Sequence, residues 1–177
     1  VKVPSIMSGK RQIITAETTP GFKAYQQTLD ARIKAIEERE GAAKLGDEIL
    51  LSVITAGKHK AIDLRLVADG HHTRGFSAYR WIRTELIRLG IPSSEIAFMQ
   101  DSKKSEAKQR LFNEFNSGKV RILIGSSETM GTGVNVQTRL AALHHLDVPW
   151  LPSQIEQREG RIVRQGNQHE EVGLYGY

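Results

Sequence analysis

Three arginines, Arg158, Arg161 and Arg164, stand three residues apart in QREGRIVRQGNQ, Gln157–Gln168. A guanidinium stays charged at any physiological pH and presents five N–H donors in a planar fork, so arginines at this spacing can grip a phosphate from two directions. A helix is expected from Pro152 to Gln165, with proline in its first turn. At about 100° per residue, Gln157, Arg161 and Arg164 then fall within an arc of roughly 60°. Ile155 and Ile162 share the opposite face. Gly160 lies beside the polar arc; it costs a helix about 1 kcal/mol relative to alanine, and its missing side chain leaves room for a ligand or a backbone. The plainer reading is a solvated basic face.

A second stretch, SSETMGTGVNVQ (Ser126–Gln137), directly follows the apolar run VRILIG. Loops beyond the carboxyl ends of parallel strands are where α/β sheets bind ligands. Hydroxyls at Ser126, Ser127, Thr129 and Thr132, with glycines at 131 and 133, suit contact with phosphate or ribose because glycine leaves backbone N–H groups accessible. Alone this pattern is weak, since small polar loops are often only turns.

The elements that must hold these stretches can be read from periodicity. Phe22, Tyr25, Leu29, Ile33 and Ile36 recur at helical spacing up to about Glu40, after a turn at ETTPG. The first twenty residues read as extended or irregular. Residues 47–67 admit a strand and a helix or two helices, and two helices are expected; ADGHHTRG (68–75) reads as a loop. From Phe76 the order is regular: a helix to Leu89 with Trp81, Leu86 and Ile87 inward, a short strand at EIAFM, a helix over 105–116, a buried strand at 120–125, a strand at LAALHHLD, the arginine helix, and a last strand at EVGLYGY. Helices alternating with short apolar strands predict an α/β layer fold with a mainly parallel sheet.

The chain has 177 residues, 25 Lys and Arg against 20 Asp and Glu, a net charge of +5 and a pI near 9.6. That balance favours a polyanion such as nucleic acid as partner. With no cysteine, disulfides, thiol catalysis and cysteine-ligated zinc are excluded. No apolar run reaches the roughly 20 residues of a membrane span, and VKVPSIMSGK lacks a signal-peptide core, so a cytoplasmic protein is expected. His71 and His72 have no carboxylate or thiol cluster around them in sequence, and no metal site is expected. His144 and His145, in an alternating strand, are expected to be structural, and Lys103, Lys104 and Lys108 to be a solvated face.

Taken in order, SSETMGTGVNVQ, HHLDVPWLP and QREGRIVRQGNQ resemble the second RecA-like lobe of superfamily 2 helicases, and within them the Swi/Snf-type DNA translocases. The positions that carry the resemblance are Ser127, Gly133, Asn135, Asp147, Trp150, Pro152, Gln157, Gly160, Arg161, Arg164 and Gly166, with Phe115-Asn116 ending the preceding helix. The wording is similar to helicase segments of phage- and plasmid-borne proteins in which a helicase is fused to an adenine-specific DNA methyltransferase.

The resemblance implies a RecA-like three-layer sandwich over 76–177 and, over 1–75, a helical linker or brace from the first lobe. It implies ATP with Mg2+, bound mainly by a first lobe, and DNA as partner. Arg164 is the first candidate for an arginine finger and Arg161 the second. Gln157, Gly133 and Asn135 would serve the nucleotide or the cleft, and Ser126, Ser127 and Thr129 the nucleic-acid backbone. SGK at Ser8–Lys10 is not a phosphate-binding loop, and no D-E-x-H-like strand or methyltransferase signature occurs, so neither ATP hydrolysis by this chain alone nor methyl transfer is expected. Two departures stand out. Asn167 interrupts the commoner R-x-G-Q, and the strand that normally opens such a lobe has no counterpart in ADGHHTRG. The competing function is a non-catalytic basic nucleic-acid-binding module that keeps the lobe fold.

Overall fold

A computed structural model gives the architecture; it describes residues 2–44, 47–54, 56, 76–126, 129, 135–147, 149 and 151–177. The expected loop at 68–75 and most of the ambiguous stretch before it lie outside these residues. The chain divides into two compact units, Thr15–Ala78 and a larger one made of Val1–Ile14 with Tyr79–Tyr177.

In the smaller unit, α1 spans Pro20–Glu37. The turn expected at ETTPG is this helix's start: Thr19 Oγ1 accepts the Phe22 N–H at 3.2 Å, and Pro20 takes the first turn, where its missing N–H is not needed. Leu29 packs with Val53 and Ala56, flanked by Tyr25, Ile33 and Ile36. Residues 50–54 are helical, in keeping with the helical expectation there.

The larger unit is α/β, and every strand pairing among the described residues is parallel. Its elements are β1 (Ser5–Ile6), β2 (Gln12–Ile13), α2 (Phe76–Arg88), β3 (Ile96–Phe98), α3 (Ser105–Ser117), β4 (Ile122–Ile124), β5 (Ala142–His145), α4 (Pro152–Glu159) and β6 (Glu171–Gly176). β3 pairs with β4. β5 pairs along β6, from Ala142↔Gly173 to His145↔Gly176. β1 meets the beginning of β6 (Ile6↔Val172) and β2 its end (Ile13↔Gly176), with a 3-10 turn at Met7–Gly9 between them. Ser8 and Gly9 take φ of 61° and 69° there, which lets one extended segment bend and rejoin the same neighbour. Residues assigned from sequence to a helical brace over 1–75 therefore include strands of the lobe's own sheet.

Apolar strand runs buried under helices are the mark of parallel sheets. Met99, Leu111, Phe112, Phe115, Val120 and Val136 form one core cluster. Ile96, Phe98 and Ile124 form a second, covered by Tyr79, Ile82 and Leu86 of α2. The inward face of α2 is thus 79, 82 and 86. Trp81 and Ile87, expected inward, are about 40% exposed (38% and 41%), because positions two from 79 and five from 82 fall off a stripe of period 3.6. Ile162, Val172 and Leu174 make a third cluster under the arginine segment.

Candidate functional site

The arginine segment corrects its sequence reading. α4 stops at Glu159, and residues 160–166 continue as tight turns rather than α-helix. The Ile162 and Val163 N–H groups both donate to the Glu159 carbonyl at 3.0 Å, and the Arg164 N–H donates to the Ile162 carbonyl at 2.9 Å. Gly166 has φ 85°, a left-handed conformation that glycine adopts without strain. The 60° helical arc is therefore not the geometry that places Arg161 and Arg164. Ile162 is fully buried, as its spacing suggested, and anchors the turns from below.

The three arginines have different surroundings. Arg158 NH1 donates to Asp147 Oδ1 at 2.9 Å, tying α4 to the second residue after β5. Arg161 is half-buried; burial, and then the charge of Arg158, hold its pKa below the usual value, though a guanidinium remains charged. Arg161 lines a cavity of about 640 Å³ that runs along β4 and β5 and is also bordered by Ser126, Asp147 and Arg158. Arg164 is exposed, and its NH1 reaches Asn135 Oδ1 at 3.5 Å, the outer limit of a hydrogen bond. Among the described residues no carboxylate lies within ion-pair range of Arg164.

Asn135 is brought here from the second stretch. Asn116 Nδ2 donates to the Asn135 carbonyl at 2.8 Å, so the Phe115-Asn116 pair has a divided role: Phe115 is buried in the core and Asn116 holds the end of the loop. Gln137 Nε2 lies 3.5 Å from the Gln165 carbonyl, a second long contact between the two stretches. Gln157 sits exposed on α4.

Ser126 and Thr129 are occupied with each other. The Ser126 N–H donates to Thr129 Oγ1 at 3.0 Å, the Thr129 N–H to Ser126 Oγ at 3.2 Å, and the Thr129 hydroxyl to the Ser126 carbonyl at 2.9 Å. This reciprocal closure satisfies the backbone just after β4. A Cβ on Gly125 would stand 2.9 Å from Met99 Cβ and 3.2 Å from Thr129 Oγ1, so the bare glycine allows this close turn. Ser127, Gly133 and Trp150 lie outside the described residues.

Sequence reasoning missed a polar cluster behind the arginines. Glu159 Oε1 accepts from Arg11 (2.5 Å to NH2, 2.6 Å to Nε) and from His145 Nε2 (3.1 Å). His145 is buried; desolvation outweighs the Glu159 hydrogen bond and lowers its pKa, which favours a neutral ring donating Nε2–H to the carboxylate. His144 stacks on Tyr175 and Tyr177 and meets the Tyr177 hydroxyl at 2.7 Å. Both histidines are engaged by neighbouring side chains, which is compatible with the structural role expected from their strand position. Arg11 offered no local signal, being 148 positions from its partner. Among the described residues no His, Asp and Glu cluster could hold a metal ion, and no helix is long and apolar enough to cross a membrane.

Over 69 residues, 39% of this chain, the sequence is 30% identical to the Defense against restriction protein B of Escherichia phage P1, of which the match covers 3%. Residues 61–166, more than half of the chain, match the helicase conserved C-terminal domain, a RecA-like α/β lobe, and the chain belongs to that helicase family.

Proposed function

We propose that the chain is the second motor lobe of an ATP-dependent DNA helicase or translocase of the Swi/Snf-like branch, with Arg164 as its arginine finger. One observation carries the reading. Arg164 stands exposed beside the neutral Asn135, on turns pinned by the buried Ile162, with no carboxylate in range among the described residues. An accessible, uncompensated guanidinium carried on a pinned backbone suits a developing phosphoryl charge. ATP with Mg2+, bound mainly by the first lobe, supplies the phosphoryl group whose transfer drives the motor. Arg164 stabilises charge at that group, and Arg161, less exposed and beside Arg158, supports it. Gln157, Gly133 and Asn135 seat the nucleotide or couple the cleft. Ser126, Ser127 and Thr129 are assigned to the nucleic-acid backbone, which such groups grip without reading sequence; Ser126 and Thr129 would have to release their mutual hydrogen bonds to donate to a phosphate.

The phage relative supports a wider setting in a phage or plasmid protein. A fused adenine-specific DNA methyltransferase and a cytoplasmic location belong to the same proposal. Arginine fingers contribute about 10³ to 10⁵ in rate. Arg164→Ala in the parent protein should therefore remove nearly all DNA-stimulated ATP hydrolysis while leaving DNA affinity nearly unchanged. Turnover that survives the substitution sinks the finger assignment. DNA binding with no stimulated turnover in the unaltered parent makes the lobe a basic binding module instead.

A further inference from the structure

The cluster behind the arginines joins the two ends of the larger unit. Arg11 immediately precedes β2, which pairs with the end of β6 on the side opposite β5. Gly176 is the register partner of both Ile13 and His145. A Cβ on Gly176 would stand 3.1 Å from Ile13 Cδ1 and 3.5 Å from Arg11 Cδ. The bare glycine thus leaves a path for the Arg11 side chain over β6. Arg11 and His145 then converge from opposite sides of that strand on one oxygen of Glu159.

Glu159 is the last residue of α4 and the acceptor for the turns that follow. Its backbone carbonyl takes the N–H groups of Ile162 and Val163, and the Ile162 carbonyl takes that of Arg164. A direct chain of contacts therefore runs from the Arg11 guanidinium through the Glu159 carboxylate and carbonyl to the backbone of Arg164. The Glu159 side chain is mostly buried, 18% exposed, and charge-assisted bonds of this kind are the stronger class.

We propose that Arg11 is a positioning residue for the arginine segment, setting the placement of Arg161 and Arg164 through Glu159. Its bearing on catalysis rests on the finger role given to Arg164; the coupling itself does not. The N-terminal extended segment is then more than an edge strand, because it carries one side of the brace that fixes where the arginines reach.

The test uses the 177-residue chain and the parent protein side by side. In the chain, backbone amide spectra and hydrogen exchange of residues 159–164 are compared between unaltered protein, Arg11→Gln and Arg11→Lys. Arg11→Gln should shift the 161–164 amides and speed their exchange about tenfold or more, while β3 and β4 stay unchanged; Arg11→Lys, which keeps the charge, should restore part of the effect. In the parent, misplacement of a catalytic group by a distant change can cost up to about 10²-fold. Arg11→Gln should therefore lower kcat with the KM for ATP nearly unchanged, and lysine should recover part of it. Glu159→Gln, which keeps the shape and loses the charge, should repeat the amide pattern if Arg11→Gln fails to fold. Unaltered amides at 161–164 in folded variants overturn the proposal. So does an unchanged kcat in Arg11→Gln when Arg164→Ala is inactive. Shifted amides in a parent that hydrolyses no ATP uphold the coupling and remove the motor reading alone.

Discussion

Asn167 interrupts the wording common in the lobes that the chain resembles, and its contacts explain why an asparagine can stand there. Its Nδ2 donates to the carbonyls of Leu140 (2.9 Å) and Ile162 (3.2 Å), and its Oδ1 accepts the His169 N–H at 2.9 Å. One side chain thus ties the end of the arginine turns to the start of β5. Near it, the three arginines divide into an anchor at Asp147, a half-buried lining residue and an exposed one. At this scale pH also acts. The pKa values of His145 and His144 are lowered, mainly by burial, so the folded state binds fewer protons than the unfolded state as pH falls below about 6.5. Their contribution to stability is fully present above that pH and is lost as pH falls toward their lowered folded values. Urea unfolding between pH 7.5 and 5 should show stability declining on the acid side, by at most about 1.4 kcal/mol per pH unit for the buried His145 and by less for the more exposed His144. His145→Gln, which keeps a donor for Glu159, should flatten part of the decline; an unchanged slope would assign it elsewhere.

Helix ends decide how elements meet. α3 stops at Gly118, whose φ of 84° closes the helix in the left-handed conformation. The Arg139 guanidinium fills the space beside it: its NH1 donates to the Ser117 carbonyl at 2.9 Å and stands 2.8 Å from where a Cβ on Gly118 would be. Alanine there has an unfavourable φ, which costs roughly 1–2 kcal/mol, and must also displace Arg139. Gly118→Ala should therefore lower unfolding stability by about 1–2 kcal/mol in a denaturant titration, with the larger loss if Arg139 gives up its bond. A neutral result would mean the cap can rearrange. α4 shows the opposite case. Its end at Gly160 has ordinary right-handed geometry, so the glycine does not stop it through φ; its carbonyl neighbours simply accept the turns that follow.

Across the whole molecule, the larger unit is closed by residues from both ends of the chain. β6 has β5 on one side and β1 and β2 on the other, and Val172 and Leu174 within it are essentially fully buried. Removing residues 1–13 would uncover one edge of β6, together with the Arg11 contact to Glu159. An unpaired strand edge invites association. The truncated protein should be less stable and should self-associate in size-exclusion chromatography, whereas a truncation that stays monomeric with unchanged unfolding would show that the segment contributes no closure.

The sequence by itself determined the α/β order of elements from Phe76 onward, the buried strands and the residues that carry the helicase resemblance. These are legible because periodicity, helix caps and motif spacing are local properties of neighbouring residues. The end of α4 departs from the sequence expectation because an unbroken apolar and basic spacing fits both a helix and a series of tight turns, and the buried Ile162 and the carbonyl of Glu159 decide between them. The inward face of α2 was misplaced for a similar reason: several stripes were open to it, and packing on β3 and β4 selected one. Only the tertiary structure could join Arg11 to Glu159 and His145, or Asn116 to Asn135. Such pairs lie far apart in the chain and no spacing rule connects them, so their meeting is a consequence of strand register.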